Sequence, residues 1–169
     1  MPATRPAASV EFGDFVAEHW RRWHRFAYSV TGNAEDAKDA VQDALAGCYR
    51  RWPQIADGNP DAYVRRSIVN AHIDHWRGTG RVQATDDLDA VTCPISDGTD
   101  ARADADLALR LCEWLPPRQR AAIVLRYLED RDYDEIAEIC DITPATARSL
   151  VRHALGALKA EFAKRSQNV

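Results

Sequence analysis

Apolar side chains in the first part of the chain return every third or fourth position. Between Val10 and Thr31, Phe12, Phe15, Val16, Trp23, Phe26 and Val30 anchor one face, which predicts an amphipathic helix. Gly32 stops it, and Asn33 followed by Asp36 caps the next helix in an arrangement resembling a capping box. That second helix, Ala34 to Trp52, turns Ala37, Val41, Ala44, Leu45, Cys48 and Trp52 inward, and Pro53 ends it. Its polar side carries Asp36, Asp39, Gln42, Asp43, Arg50 and Arg51. A loop through Asp57-Gly58 leads to Asn59-Pro60-Asp61, an N-cap followed by an N1 proline. A third helix then runs to Arg77 and is closed by Gly78-Thr79-Gly80.

Periodicity fades beyond this point. Residues 81–105 hold six aspartates and read as an acidic, extended linker. Helical spacing resumes near Asp106 and continues through Leu107, Leu109, Leu111, Trp114 and Leu115 before Pro116-Pro117 breaks it. Arg118 to Leu128 makes another helix. The pattern predicts a nearly all-α protein. It is divided into two small helical domains, 10–80 and 106–165, on either side of the linker 81–105.

Tyr133 to His153 reads as a helix-turn-helix. Asp134 to Cys140 forms a short helix with Ile136, Ala137 and Cys140 available for packing, and Asp141, Ile142 and Thr143 make the turn. Thr143-Pro144 restarts a helix with a hydroxyl cap and a proline at N1. On that helix Ala147, Leu150, Val151, Ala154 and Leu158 face inward, while Ala145, Arg148, Ser149, Arg152 and His153 fall toward the other side. A recognition helix needs this division, with an apolar back for docking and short or cationic residues in front for bases and phosphates. An ordinary helical hairpin with a solvated basic face has the same pattern.

The third helix interleaves Tyr63, Arg65, Arg66, Asn70, His72, Asp74, His75, Trp76 and Arg77 with apolar Val64, Ile68, Val69 and Ile73. Guanidinium groups hold phosphates and aromatic rings stack on unpaired bases, so this mixture suits nucleic acid. The competing reading is a solvated helix whose aromatics belong to the core.

The formal net charge of −4 looks wrong for a DNA-binding chain until it is divided. Residues 1–80 are balanced, residues 81–107 carry −5, and residues 108–169 carry +1. Modest charge predicts weak non-specific DNA affinity for the isolated protein, because phosphate neutralisation supplies most of that binding. No run of about 18 apolar residues is present, which argues against membrane insertion. Residues 1–9 lack the apolar core of a secretory signal, so a cytoplasmic location is expected. Cys48, Cys93, Cys112 and Cys140 are scattered without metal-ligand spacing and read as incidental thiols. No metal or other cofactor is expected.

Four phrases together carry a resemblance. Gly32–Leu45 (GNAEDAKDAVQDAL), Asn59–Arg77 (NPDAYVRRSIVNAHIDHWR), Leu115–Asp130 (LPPRQRAAIVLRYLED) and Asp132–Leu158 (DYDEIAEICDITPATARSLVRHALGAL) resemble bacterial RNA polymerase sigma factors. The match is to the extracytoplasmic-function (ECF) group of the sigma-70 family, with the NPDAYVRR and LPPRQR phrases most similar to its SigE-like subgroup. It covers about residues 10–162 in the family's order.

The resemblance implies a non-catalytic initiation factor with two domains, sigma-2 and sigma-4, joined by a flexible linker. It implies that sigma-2 grips the β′ clamp helices of core RNA polymerase and opens the −10 promoter element. It implies that sigma-4 binds the β-flap and reads the −35 element. Asp39, Gln42, Asp43 and Leu45 lie on the segment the family uses against the clamp. Tyr63, Arg65, Arg66, Asn70, Asp74 and Arg77 match the stretch contacting the melted −10 strand. Thr143, Thr146, Arg148, Ser149, Arg152 and His153 are the candidate −35 contacts. Asp141 departs from the family's usual glycine at the turn, although aspartate tolerates the left-handed conformation. Many members of the family are held inactive by an anti-sigma protein on the surfaces polymerase needs, so the resemblance makes such a protein a candidate partner.

Two rival classes explain less. A metal-dependent hydrolase would use His72, Asp74 and His75 or the i,i+4 carboxylate pair Asp39/Asp43, but Asp74 points elsewhere on the helix and three converging ligands are required. A repressor or activator acting on duplex DNA alone explains the helix-turn-helix but leaves the arginine-rich third helix and the acidic linker unused.

Overall fold

The computed structural model describes residues 8–79 and 112–167. The predicted linker with Cys93, and the expected helical start at residues 106–111, lie outside the described residues. Four helices form the N-terminal half: α1 (Ala8–Thr31), α2 (Ala34–Arg50), α3 (Trp52–Ile55) and α4 (Pro60–Gly78). Three form the C-terminal half: α5 (Pro117–Tyr127), α6 (Tyr133–Cys140) and α7 (Pro144–Gln167). All regular structure among the described residues is helical.

Local chemistry sets the boundaries. Gly32 takes φ 74°, and the Asn33 side chain then accepts from the Glu35 and Asp36 amides at 2.9 and 3.1 Å. Asn59 caps α4 by accepting from Ala62 at 3.1 Å, with Pro60 behind it. Pro53 does not act as the expected terminator. Helix α2 stops at Arg50, and Pro53 lies in the first turn of α3, where no intrahelical N–H is needed. Pro117 likewise opens α5 rather than only breaking what precedes it. Leu115 is buried as expected, whereas its neighbour Trp114 is 71% exposed.

The apolar stripes meet in one place. Trp23, Phe26 and Val30 of α1 pack with Val41 and Cys48 of α2 and with Val64 and Ile68 of α4. The same cluster runs on without a break into Ala121 and Leu125 of α5, Ile136 and Ile139 of α6, and Ala147, Val151 and Ala154 of α7. The two small domains expected from the sequence therefore share a core, with α4 against α5 and α6 and α1 against α5.

Arg120 of α5 crosses this boundary. It is buried, and its Nε donates to the Ser29 carbonyl at 2.9 Å. A Cβ on Gly32 would stand 3.0 Å from Arg120 Nη2. Gly32→Ala therefore forces an L-residue into a left-handed conformation and displaces a buried guanidinium. We expect a loss of about 2 kcal/mol, read as a drop of roughly 4–8 °C in thermal midpoint.

Candidate nucleic-acid interface

The helix-turn-helix is built as its sequence requires, with one addition. Asp132 caps α6, accepting from the Glu135 amide while the Glu135 carboxylate accepts from the Asp132 amide, each at 2.9 Å. Asp141 ends α6 at φ 55°, ψ 53°, the left-handed conformation that its short polar side chain tolerates. Thr143 Oγ1 then accepts from the Thr146 amide at 3.2 Å and lies 2.9 Å from the Thr146 hydroxyl, fixing the start of α7. Ala147, Val151 and Ala154 are buried behind that helix, and Leu150 and Leu158 are partly buried.

On its front, Arg148 and Arg152 are exposed, and Ser149 and His153 are half-buried. The His153 ring is anchored through Nδ1 to the Ser149 carbonyl, 2.7 Å away. The Arg148 guanidinium carbon lies 5.2 Å from the centroid of the Tyr133 ring, and that of Arg126 lies 4.9 Å from the same centroid. The sequence reading missed Arg126 and Tyr133 because they sit on α5 and at the first position of α6, outside the helix expected to enter DNA. The alternation of tyrosine with arginine at positions 126–133 was the available clue.

Helix α4 presents a different picture. Asn70, Asp74 and Arg77 are exposed, and Tyr63 and Arg66 are half-buried. Arg65 is not on the surface at all. Its side chain is fully buried, with Nε 3.0 Å from Asp61 Oδ2, Nη2 2.9 Å from Glu129 Oε2, and Cζ 4.9 Å from the Phe26 ring centroid. The approach to Glu129 is a close charge contact without hydrogen-bond alignment. In this arrangement Arg65 is a structural ion and does not face DNA, because burying a guanidinium requires carboxylates from both halves around it. Reading arginines as surface phosphate ligands failed here because the compensating Glu129 lies 64 positions away in the chain.

Asp61 is the hub of this cluster. It accepts from Trp23 Nε1 at 2.8 Å, from Arg65, and from Arg131 Nη2 at 3.1 Å. Burial alone pushes its carboxyl up, but Arg65, the Trp23 N–H and Arg131 outweigh that and hold it below its ordinary value. Further along, Asn59 Nδ2 donates to the Glu138 carboxylate at 3.3 Å, and Arg66 donates to the Glu138 carbonyl. Arg65 and Arg66 are thus engaged by acidic and carbonyl groups of the C-terminal half.

Asp39, Gln42 and Asp43 project from the outer face of α2, and Leu45 is partly buried against the core. Asp36, Asp39 and Asp43 line a cleft of about 180 Å³ together with His72 and His75 of α4. Burial lowers the His72 pKa to about 4, helped by Arg120 and His75, so the imidazole is neutral at neutral pH. No group of three or more His, Cys, Asp or Glu among the described residues could hold a metal ion. Burial pushes the thiols of Cys48 and Cys140 up, to about 11 and about 12, and raises that of Cys112. No helix among the described residues is long and apolar enough to cross a membrane.

Comparison with known proteins places both halves. Residues 15–82 match the family described as Sigma-70 region 2, and residues 106–158 match Sigma-70, region 4. The RNA polymerase sigma-E factor of Streptomyces coelicolor is 31% identical over 157 residues, covering 92% of this chain and 88% of that protein. That of Streptomyces antibioticus is 33% identical, covering 92% and 87%. Among solved structures, the sigma factor RpoE in complex with the anti-sigma factor NepR from Bartonella quintana shares the fold. It matches with TM-score 0.66 and 24% identity over 88% of this chain and 94% of that one. The helix-turn-helix, the arginine-bearing α4 and these relatives agree: the chain belongs to the ECF group of the sigma-70 family of RNA polymerase sigma factors.

Proposed function

We propose that the protein binds core RNA polymerase through α2 and directs it to promoters whose −35 element is read by α7 and whose melted −10 strand is held by α4. The observation that carries this is the front of α7, where Arg148 and Arg152 stand exposed over a buried apolar back. Thr143, Thr146, Ser149 and His153 complete that face. Tyr63, Arg66, Asn70, Asp74 and Arg77 serve the −10 strand, and Asp39, Gln42, Asp43 and Leu45 meet the β′ clamp helices, with the β-flap held by the C-terminal half. The protein acts in the cytoplasm and has no catalytic activity of its own. An anti-sigma protein is a partner compatible with the same surfaces.

The closed arrangement is the polymerase-free form. Arg65 is buried and Arg66 is tied to Glu138, so the N-terminal part of α4 reaches a promoter strand only after it parts from α5 and α6.

The direct experiment mixes the purified protein with bacterial core polymerase and follows co-elution and transcription from a pool of genomic promoters. Discrete new start sites sharing two spaced elements support the proposal. No complex from a folded sample overturns it in favour of a stand-alone regulator of duplex DNA. Arg152→Ala should weaken upstream-element binding by about 1–3 kcal/mol if the contact is bidentate to a base. Equal loss on every promoter, whatever its −35 sequence, would reassign Arg152 to a phosphate. Asp43→Arg should weaken polymerase binding about tenfold by reversing a charge on the exposed face of α2, while circular dichroism stays unchanged. Unaltered affinity would remove Asp43 from the interface.

A further inference from the structure

Two cationic side chains converge on one aromatic ring at the entrance to α7. Tyr133 is half-buried, packs on the core, and is fixed in place by the Asp132–Glu135 capping box at the start of α6. Arg126, from the last turn of α5, lies 4.9 Å from the ring centroid and donates Nη1 to the Arg131 carbonyl at 3.0 Å. Arg148, from α7, lies 5.2 Å from the same centroid. The ring quadrupole attracts both guanidiniums, although they repel each other. An acceptor from DNA relieves that repulsion, so the pair is poised for an electronegative partner.

An exposed arginine ordinarily loses most of its rotamer freedom when it is held in a single reading geometry. A guanidinium already resting on a fixed ring loses less, and it approaches a base pair from one direction only.

We infer that Tyr133 is a specificity-determining positioning residue, holding Arg148 in the orientation with which it reads the upstream promoter element. This rests on the assignment of α7 as the −35 reader. Tyr133 touches no base in this role; it acts through Arg148, and Arg126 shares and steadies the ring.

The test uses full-length protein reconstituted with core polymerase on a promoter library randomised across the −35 element. At position 133 it compares tyrosine, Tyr133→Phe, Tyr133→Leu, and phenylalanine analogues carrying one to three ring fluorines. The fluorines drain the ring quadrupole while keeping its shape, so the series stays readable even if Tyr133→Leu fails to fold. Tyr133→Phe should keep the base preference. Stepwise fluorination should erode discrimination by about two- to fivefold, at the base pair whose preference Arg148→Ala also abolishes.

Discrimination that is independent of fluorination overturns the inference, as does a uniform loss across all sequences. Arg152→Ala separates this from the underlying assignment. If Arg152→Ala alters the preference and Arg148→Ala does not, the positioning role falls and the −35 assignment stands. If neither alters it, both fall.

Discussion

Replacing Arg65 by alanine will destabilise the free protein by about 3–5 kcal/mol, the usual consequence of breaking a buried ion pair from one side. The variant leaves Glu129, whose side chain is 3% exposed, without the cation that compensates it. It also strips Asp61 of its closest partner on α4 and empties the space over Phe26. Urea unfolding followed by far-UV circular dichroism measures the loss. A change below about 1 kcal/mol would show that Arg65 is solvated and free to meet DNA, since surface pairs rarely contribute more. The same cluster has a pH signature. The Asp61 carboxyl is held below its unfolded value of about 3.9, so its contribution is complete above that pH and is lost as the pH falls through the folded value. Asp61→Asn should flatten that part of the acid unfolding curve.

Glu129→Gln will act in the opposite sense on DNA. The substitution weakens the closed arrangement, in which Arg65 needs the charge. It leaves the open one nearly untouched, because there both groups meet water. A bias of about 3 kcal/mol against opening lowers apparent strand affinity by about 100-fold, since only the open fraction binds. Relieving it should raise affinity for a single-stranded −10 oligonucleotide by up to that factor, measured by fluorescence anisotropy. Glu18→Gln removes an equal charge from an exposed position on α1 and should change little. Matching gains in the two variants would mean that only net charge matters, and no gain for Glu129→Gln would mean that α4 is already accessible.

What the sequence disclosed follows from the range over which each force acts. Helix content, the cap at Asn33, the left-handed stop at Asp141 and the apolar back of α7 depend on neighbours within a few positions, and all were legible. The capping box at Asp132 was also local but was passed over, because the helix was begun one residue late, at Asp134. The fate of Arg65 was not legible. Arginine between Val64 and Arg66 has the same local pattern whether it faces phosphate or a carboxylate from the other half, and only the fold brings Glu129 to it. For the same reason nothing local in the LPPRQR phrase marks Arg120 as a core residue, although it is buried against Ser29 and Gly32. Pairing between halves is a long-range property, and periodicity carries no information about it. The candidate −10 residues therefore fall on one helix, α4, but periodicity did not sort them into exposed and sequestered ones.

The core that passes unbroken from α1 to α7 also gives the intervening segment a thermodynamic role. The two halves meet through contacts that would be intermolecular if the chain were cut between Thr79 and Cys112. Covalent connection supplies each half with the other at an effective concentration that dilution of the protein does not change. Two separately expressed pieces should therefore associate in a dilution-dependent way, whereas the intact chain closes at any concentration. A competitor for either face must displace a partner that is always present, and a partner that engages both halves at once, as proposed above for core polymerase, is best placed to do so.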